Sequence, residues 1–123
     1  MTQPNSINVQ SALVLARCVT DGAGAITTSI PQQGVAATSW TFTGATPANG
    51  EVRLNLASAL PVNAAGDAIG IFTAVAASTL GLTVEVAIVG TTQLQVTVTD
   101  AAGAAVNLST TAVTIQLVGG TPA

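Results

Sequence analysis

Apolar and polar residues alternate in five runs of this chain, and the alternation limits the available folds more than any other feature. Successive side chains of a strand point to opposite faces of a sheet, so period two with β-branched residues predicts strands with one buried face. The alternating runs are 38–43, 51–56, 82–88, 93–99 and 113–118. Two continuously apolar runs, 11–20 and 69–76, and a weaker run, 25–30, complete a prediction of about eight strands.

Turn residues separate these runs at short intervals. Asp21-Gly22-Ala23-Gly24 and Asn49-Gly50 are hairpin-type signals, and further loop residues stand at 46–48, 63–67, 89–92 and 100–103. The pattern predicts an all-β fold, an antiparallel β-sandwich of jelly-roll-like or Ig-like type in a single domain. We expect a polar N-terminal arm at 1–10, the β-sandwich domain at 11–118 and a C-terminal tail at 119–123.

Charge is scarce along the whole sequence. Charged residues make up 6% of its 123 residues, against about 25% in a typical domain. Arg17 and Arg53 are the two basic residues and the net charge is −3, which argues against binding of nucleic acid through its phosphates. We expect other subunits or another protein to cover part of so neutral a surface, including one side of the runs 11–20 and 69–76.

The residues that carry most enzyme chemistry are missing from the sequence. His and Lys are absent, so no Ser-His or Cys-His pair and no catalytic amine can be built. Cys18 is the single cysteine, and we expect it to be buried. Asp21, Asp67 and Asp100 stand in turns, where a carboxylate caps backbone N–H groups. We therefore expect no enzyme, no cofactor and no metal, with a carboxylate-dependent hydrolase as the remaining catalytic alternative.

Neither targeting nor membrane insertion is expected from the sequence. Residues 1–10 have no basic start and no apolar run, unlike a signal peptide. The uncharged stretch 68–84 is interrupted by Gly, Ser and Thr, which favours two strands and a turn over a membrane helix.

The stretch NGEVRLNL concentrates two of the few charges on one strand. If Val52, Leu54 and Leu56 point into the core, Glu51, Arg53 and Asn55 share the outer face. We expect Arg53 to face an acid on a neighbouring strand, with Glu85 the first candidate, or another subunit. The candidate interface residues are Glu51, Arg53, Asn55, Glu85 and Arg17. Trp40 and Phe42 are expected in the core rather than on a stacking platform.

The order of these segments resembles the small β-sandwich modules of tailed-phage virion proteins. The matching residues are an opening strand ending in VTDGAGAI, the Gln32–Val35 segment, TSWTFTG, NGEVRLNLASALP and the closing LQVTVTDAAGAAVNLSTTAVTIQLV. In those modules a G-(aromatic or V)-x-V-x-L strand precedes a late V-x-V-x-D-x-x-G hairpin. Here Glu51 replaces the usual aromatic, and Val113 and Ile115 replace the aromatic of the final strand.

The resemblance implies a non-enzymatic virion protein, often trimeric. A small β-domain suits a capsid decoration (cement) protein that binds the major capsid protein or another virion protein, and further copies of itself. It would be made in the host cytoplasm and act on the capsid surface, with no nucleic-acid or membrane partner. The alternatives are a fibre or spike head that binds a host receptor through loops 44–50, 61–68 and 100–105, and a bacterial surface or pilus-like subunit.

Overall fold

A computed structural model of the chain describes residues 12–29, 37–77 and 81–121. The arm expected at 1–10 and the Gln32–Val35 segment lie outside these residues. A short 3-10 helix, Pro47–Asn49, precedes the fourth strand. The described residues form eight strands: β1 (Ala12–Thr20), β2 (Ile26–Ser29), β3 (Ala37–Thr41), β4 (Glu51–Leu56), β5 (Ile71–Ala77), β6 (Thr83–Ile88), β7 (Gln93–Thr99) and β8 (Thr114–Thr121).

The strands form two antiparallel sheets of four, which confirms the prediction of an all-β sandwich in one domain. Sheet A has the order β2-β1-β8-β5 and sheet B has the order β3-β4-β7-β6. In sheet A the first and last strands of the chain are neighbours, with Cys18 opposite Ile115. The alternation within each strand could not supply this order, because it fixes faces and not neighbours.

The core lies between the inner faces of the two sheets. Residues of β4 alternate between half-buried and buried along the whole strand, as the sequence pattern predicts. Trp40 on β3 is 6% exposed, which confirms its place in the core. The aliphatic side chains with no exposed surface are Val52, Leu54, Leu94, Val96, Val98, Leu108, Ile115 and Leu117. Burial of each such side chain stabilises the fold by about 1.5–3 kcal/mol.

Two local features differ from the sequence-based expectation. Strand β8 continues to Thr121, three residues beyond the predicted domain limit at 118. The connection between β3 and β4 is not a two-residue turn at Asn49-Gly50, because it spans residues 42–50 and contains the 3-10 helix. The run at 69–76 forms strand β5 and residues 101–105 form a loop, as the sequence pattern predicts, and the described part of the chain contains no α-helix.

The connecting loops are divided between the two ends of the sandwich. Leu108 N–H donates to the Pro47 carbonyl at 2.9 Å, so the β3–β4 and β7–β8 loops meet at one end. Leu60 N–H donates to the Thr91 carbonyl at 2.7 Å, which places the β4–β5 loop at the other end, beside the β6–β7 loop. Loops 44–50 and 100–105 therefore share an end, whereas loop 61–68 lies opposite and cannot contribute to the same binding tip.

Three five-residue loops in the described part of the chain have the same hydrogen-bond pattern. They are residues 21–25, 63–67 and 100–104, and each has Ala in third place and Gly in fourth place. In each, the first residue's N–H donates to the fifth residue's carbonyl, at 3.1, 2.9 and 2.8 Å respectively. The fourth-place glycines have φ of +91°, +88° and +84°, a conformation that strongly favours glycine.

The first side chain of each loop accepts two backbone hydrogen bonds. Asp21 Oδ1 accepts from the N–H groups of the third and fifth residues at 2.7 and 3.0 Å. Asp100 Oδ1 does the same at 2.9 Å for both. The expected capping role is confirmed for these two aspartates. It is wrong for Asp67, because Asn63 supplies the accepting oxygen there and Asp67 supplies an N–H donor.

We expect Gly50→Ala to destabilise the protein more than Gly66→Ala does. Gly50 has φ of +78°, and a Cβ there would overlap the carbonyl oxygen of Val98. Gly66 has a similar φ of +88°, but a Cβ there would meet no other atom within 4 Å, so its substitution tests the backbone conformation alone. The left-handed conformation costs about 1–2 kcal/mol for alanine, and we expect at least about 2 kcal/mol more at Gly50 because the opposing atom is backbone. Urea denaturation measures both, and equal losses would contradict the steric explanation.

Candidate functional site

The outer face of sheet B carries a hydrogen-bonded polar ladder, which we define as Ser39, Asn55, Gln93, Arg53 and Gln95. Arg53 Nε donates to Gln95 Oε1 and Arg53 Nη1 to Gln93 Oε1, both at 3.1 Å. Gln93 Nε2 donates to Asn55 Oδ1 at 2.9 Å, and Asn55 Nδ2 donates to Ser39 Oγ at 3.0 Å. The ladder therefore joins β3, β4 and β7 through side chains as well as through their backbones.

Arg53 does not pair with Glu85, so the first-choice expectation is wrong. Strand β7 separates β4 from β6, and Glu85 lies opposite Thr97, which in turn lies opposite Glu51. Two strand spacings place the β4 and β6 backbones about 10 Å apart. The nearer acceptors for Arg53 are the two glutamines on β7, neither of which is a sequence-based candidate. Knowledge of the strand order was needed to find them.

Glu51 has a local structural role. Its Oε1 accepts a hydrogen bond from the Thr46 backbone N–H at 2.9 Å. This contact spans the 3-10 helix and fixes the loop that leads into β4. Glu51 thus shares the outer face with Arg53 and Asn55 as predicted, but its carboxylate faces its own loop.

Arg17 lies on the other sheet from the four remaining candidate residues. It is exposed between the buried Ala16 and Cys18, so it points outward from sheet A. The register places it opposite Gln116, which lies opposite Val75 on the edge strand. The structure therefore brings together Glu51, Arg53 and Asn55, keeps Glu85 two strands away on the same sheet, and separates Arg17 from all of them.

Three exposed aliphatic residues form an apolar patch on the outer face of sheet A. The patch is Ile71, Val75 and Val118, which are 75%, 66% and 43% exposed. Thr73 lies between the first two along β5 and opposite Val118 on β8. No residue of this patch was among the sequence-based candidates. The signal for it was the continuously apolar run at 69–76, which has no polar face to present to water.

Two titratable groups are shifted by their surroundings. Burial raises the pKa of the Cys18 thiol to about 12, so the thiol is protonated and inert at neutral pH. The backbone N–H groups of Ala23 and Ala25 lower the pKa of Asp21, because they stabilise its ionised form. Neither environment poises a group for proton transfer near neutrality.

Residues 12–29, 37–77 and 81–121 contain no cluster of three or more potential metal ligands among His, Cys, Asp and Glu. Within the same ranges no helix is long and apolar enough to cross a membrane. An open depression of about 500 Å³ lies beside the β7–β8 loop and is lined partly by Asp100, Val106, Asn107 and Thr111.

Comparison of the chain with protein-family models, with curated proteins and with solved structures found no match. The resemblance to phage virion modules therefore stays a prediction from the sequence, and the surfaces described above carry the functional argument.

We expect Arg53 and Gln95 to be energetically coupled. Arg53→Met and Gln95→Leu each remove one end of a charge-assisted hydrogen bond on a half-buried face. A double-mutant cycle in urea should give a coupling of about 0.5–1 kcal/mol. Arg53→Met with Gln116→Leu is the matched control, because Gln116 lies on sheet A and should show no coupling. Equal coupling in the two cycles would contradict the ladder.

We expect Asp21→Asn to remove the contribution that the ionised Asp21 carboxylate makes to the free energy of unfolding. A carboxylate whose pKa is lowered by folding contributes stability above its unfolded pKa and loses it as the pH falls through the folded value. The stability difference between wild type and Asp21→Asn should therefore shrink below about pH 4. Asn63 shows that an amide supports the same loop, so Asn63→Asp should gain the dependence that Asp21→Asn loses. Thermal melts from neutral to acidic pH measure both, and parallel curves would contradict the assignment.

Proposed function

We propose that this chain is a structural virion protein of a tailed bacteriophage, and specifically a capsid decoration protein that binds and stabilises the head shell. The observation that carries the proposal is the exposed apolar patch on sheet A. Apolar patches exposed on a folded domain commonly mark surfaces that bind another protein. The four strands of sheet A contain one charged residue, Arg17, so little charge must lose its water when the face is covered.

The proposed action is contact rather than chemistry. A shell subunit that covers Ile71, Val75 and Val118 gains the free energy of burying three aliphatic side chains. Burial of an unpaired charge would oppose this gain by several kcal/mol, and the neutral face avoids most of that cost. A shell repeats the same site many times, so the small stabilisation from each bound copy adds up over the whole shell. The proposed partner is the major capsid protein, and the proposed location is the outer capsid surface.

A fibre or spike head is the second candidate, and one observation favours it. The β3–β4 and β7–β8 loops meet at one end of the sandwich, and residues of the β7–β8 loop line the open depression near Asp100. Receptor contacts often lie on loops held by a rigid sandwich. Loop 61–68 lies at the other end, so this candidate now rests on two loops rather than three.

Position and copy number in the virion distinguish the two candidates. A decoration protein should label the head and approach the copy number of the major capsid protein, whereas a fibre head should label the tail in a few copies. Quantitative mass spectrometry and antibody labelling of purified virions measure both quantities. Absence of the chain from virions would contradict both candidates. The trimer that the resemblance implies stays a prediction, which light scattering on the purified protein tests.

We expect Val118→Lys to weaken binding to shells that lack the protein by about tenfold or more. Loss of one buried valine and burial of a lysine together remove more than the 1.4 kcal/mol that a factor of ten represents. Val62→Lys is the matched control, because Val62 is 52% exposed but lies in the β4–β5 loop, outside the strands of sheet A. Co-sedimentation with shells gives both affinities. Equal affinity for the two variants would remove the outer face of sheet A as the shell-binding surface.

A further inference from the structure

The four edge strands of the sandwich differ in how they resist pairing with another strand. Strand β2 has four residues in the described part of the chain, β3 has a register shift between Ala37 and Ser39, and β6 carries the exposed Glu85 at mid-strand. Short length, bulges and charge are the features that keep edges unpaired in natural proteins. Strand β5 has none of them: its seven residues contain no charge and no proline, and they pair with β8 without interruption.

The outward residues of β5 are arranged symmetrically about Thr73. Ile71, Thr73 and Val75 are exposed, whereas Phe72 and Ala74 are half-buried towards the core. Because side chains alternate along a strand, the outer face of β5 presents one β-branched aliphatic residue on each side of a threonine. The outer face therefore has the same sequence of residue types, aliphatic-threonine-aliphatic, in both strand directions.

We propose that β5 binds the β5 strand of a second copy of this chain, in antiparallel register about a twofold axis at Thr73. In this register Ile71 of each copy lies opposite Val75 of the other, and the two copies of Thr73 lie opposite each other. β-Branched pairs and Thr–Thr pairs are favourable cross-strand neighbours. The two sheets A join into one sheet of eight strands, and the two apolar patches become continuous across the axis.

Two features of β5 favour a second copy over a different partner. A twofold contact requires a surface that complements itself, and the Ile71-Thr73-Val75 sequence does so in antiparallel pairing. A charged edge strand would oppose like charges at such an axis, and β5 has no charge to oppose. The nearest charged residue in the register, Arg17, lies two strands inward from Val75. This inference is independent of the proposed virion function.

The contact is expected to be weak and to close at two copies. A seven-residue strand is about 23 Å long, and pairing along one edge buries less than the roughly 1,200–2,000 Å² of a standard interface. Association should therefore depend on protein concentration. Each copy uses its single β5 edge once, so the contact doubles the mass of whatever unit it joins and does not build a filament.

The test places charges at the proposed axis. Thr73 is exposed, so Thr73→Lys and Thr73→Glu should fold, which circular dichroism checks. Each variant opposes like charges across the axis, and sedimentation equilibrium should show a dissociation constant raised at least tenfold. An equimolar mixture of the two variants pairs Lys with Glu and should recover the doubled mass. Val62→Lys, a similarly exposed residue outside β5, should associate like wild type.

Three results would overturn the inference. They are a wild-type protein whose mass never doubles up to millimolar concentration, Thr73 variants that associate as wild type does, and a mixture of the two charged variants that fails to recombine. If the wild-type protein is a trimer and the Thr73 variants have the same mass, this counts as the second result and overturns the inference. The outcome is separate from that of shell binding, because a wild-type dimer that Thr73→Lys dissociates supports this contact even if the protein never binds a shell.

Discussion

Burial of aliphatic side chains between the two sheets is the interaction on which the other features depend. Leu54 and Leu94 of sheet B and Ile115 and Leu117 of sheet A have no exposed surface. Because a strand alternates, fixing these residues inward fixes their neighbours outward, and a register slip of one residue would exchange the two sets. The polar ladder and the apolar patch are therefore outer-face consequences of the same inward packing.

The ends of the strands are organised by a second, local interaction. Asp21, Asn63 and Asp100 each accept two backbone hydrogen bonds in loops of the same form. Thr20 adds a buried counterpart, since its hydroxyl donates to the Thr111 carbonyl at 2.8 Å and accepts from the Val113 N–H at 2.9 Å. These contacts satisfy backbone groups that the sheets leave unpaired at both ends of the sandwich, so the chain can turn sharply between strands.

Local pattern predicted all eight strands, and it could not predict the contacts between strands distant in sequence. The outward direction of Arg53 follows from Val52 and Leu54 alone, but its partners depend on β7 lying between β4 and β6. The error at Asp67 has a different cause, because the sequence does contain the signal. Asx-x-Ala-Gly occurs three times, and its alignment would have placed the accepting side chain at Asn63. The apolar run at 69–76 signalled an outer face that is largely apolar, but only the strand order shows that Val118 of β8 lies beside Ile71 and Val75.

The two outer faces of the sandwich differ in the free-energy change that another molecule would cause by covering them. On sheet B, Arg53 and its amide neighbours satisfy one another, so another molecule that displaced these hydrogen bonds would have to replace each of them. On sheet A, Ile71, Val75 and Val118 have no comparable partner within the described chain. Their exposure to water is unfavourable in free energy. A partner therefore lowers the free energy far more readily by covering sheet A than by covering sheet B. The scarcity of charge strengthens this difference between the faces, because Arg17 is the one charged residue on the strands of sheet A that a covering molecule would desolvate.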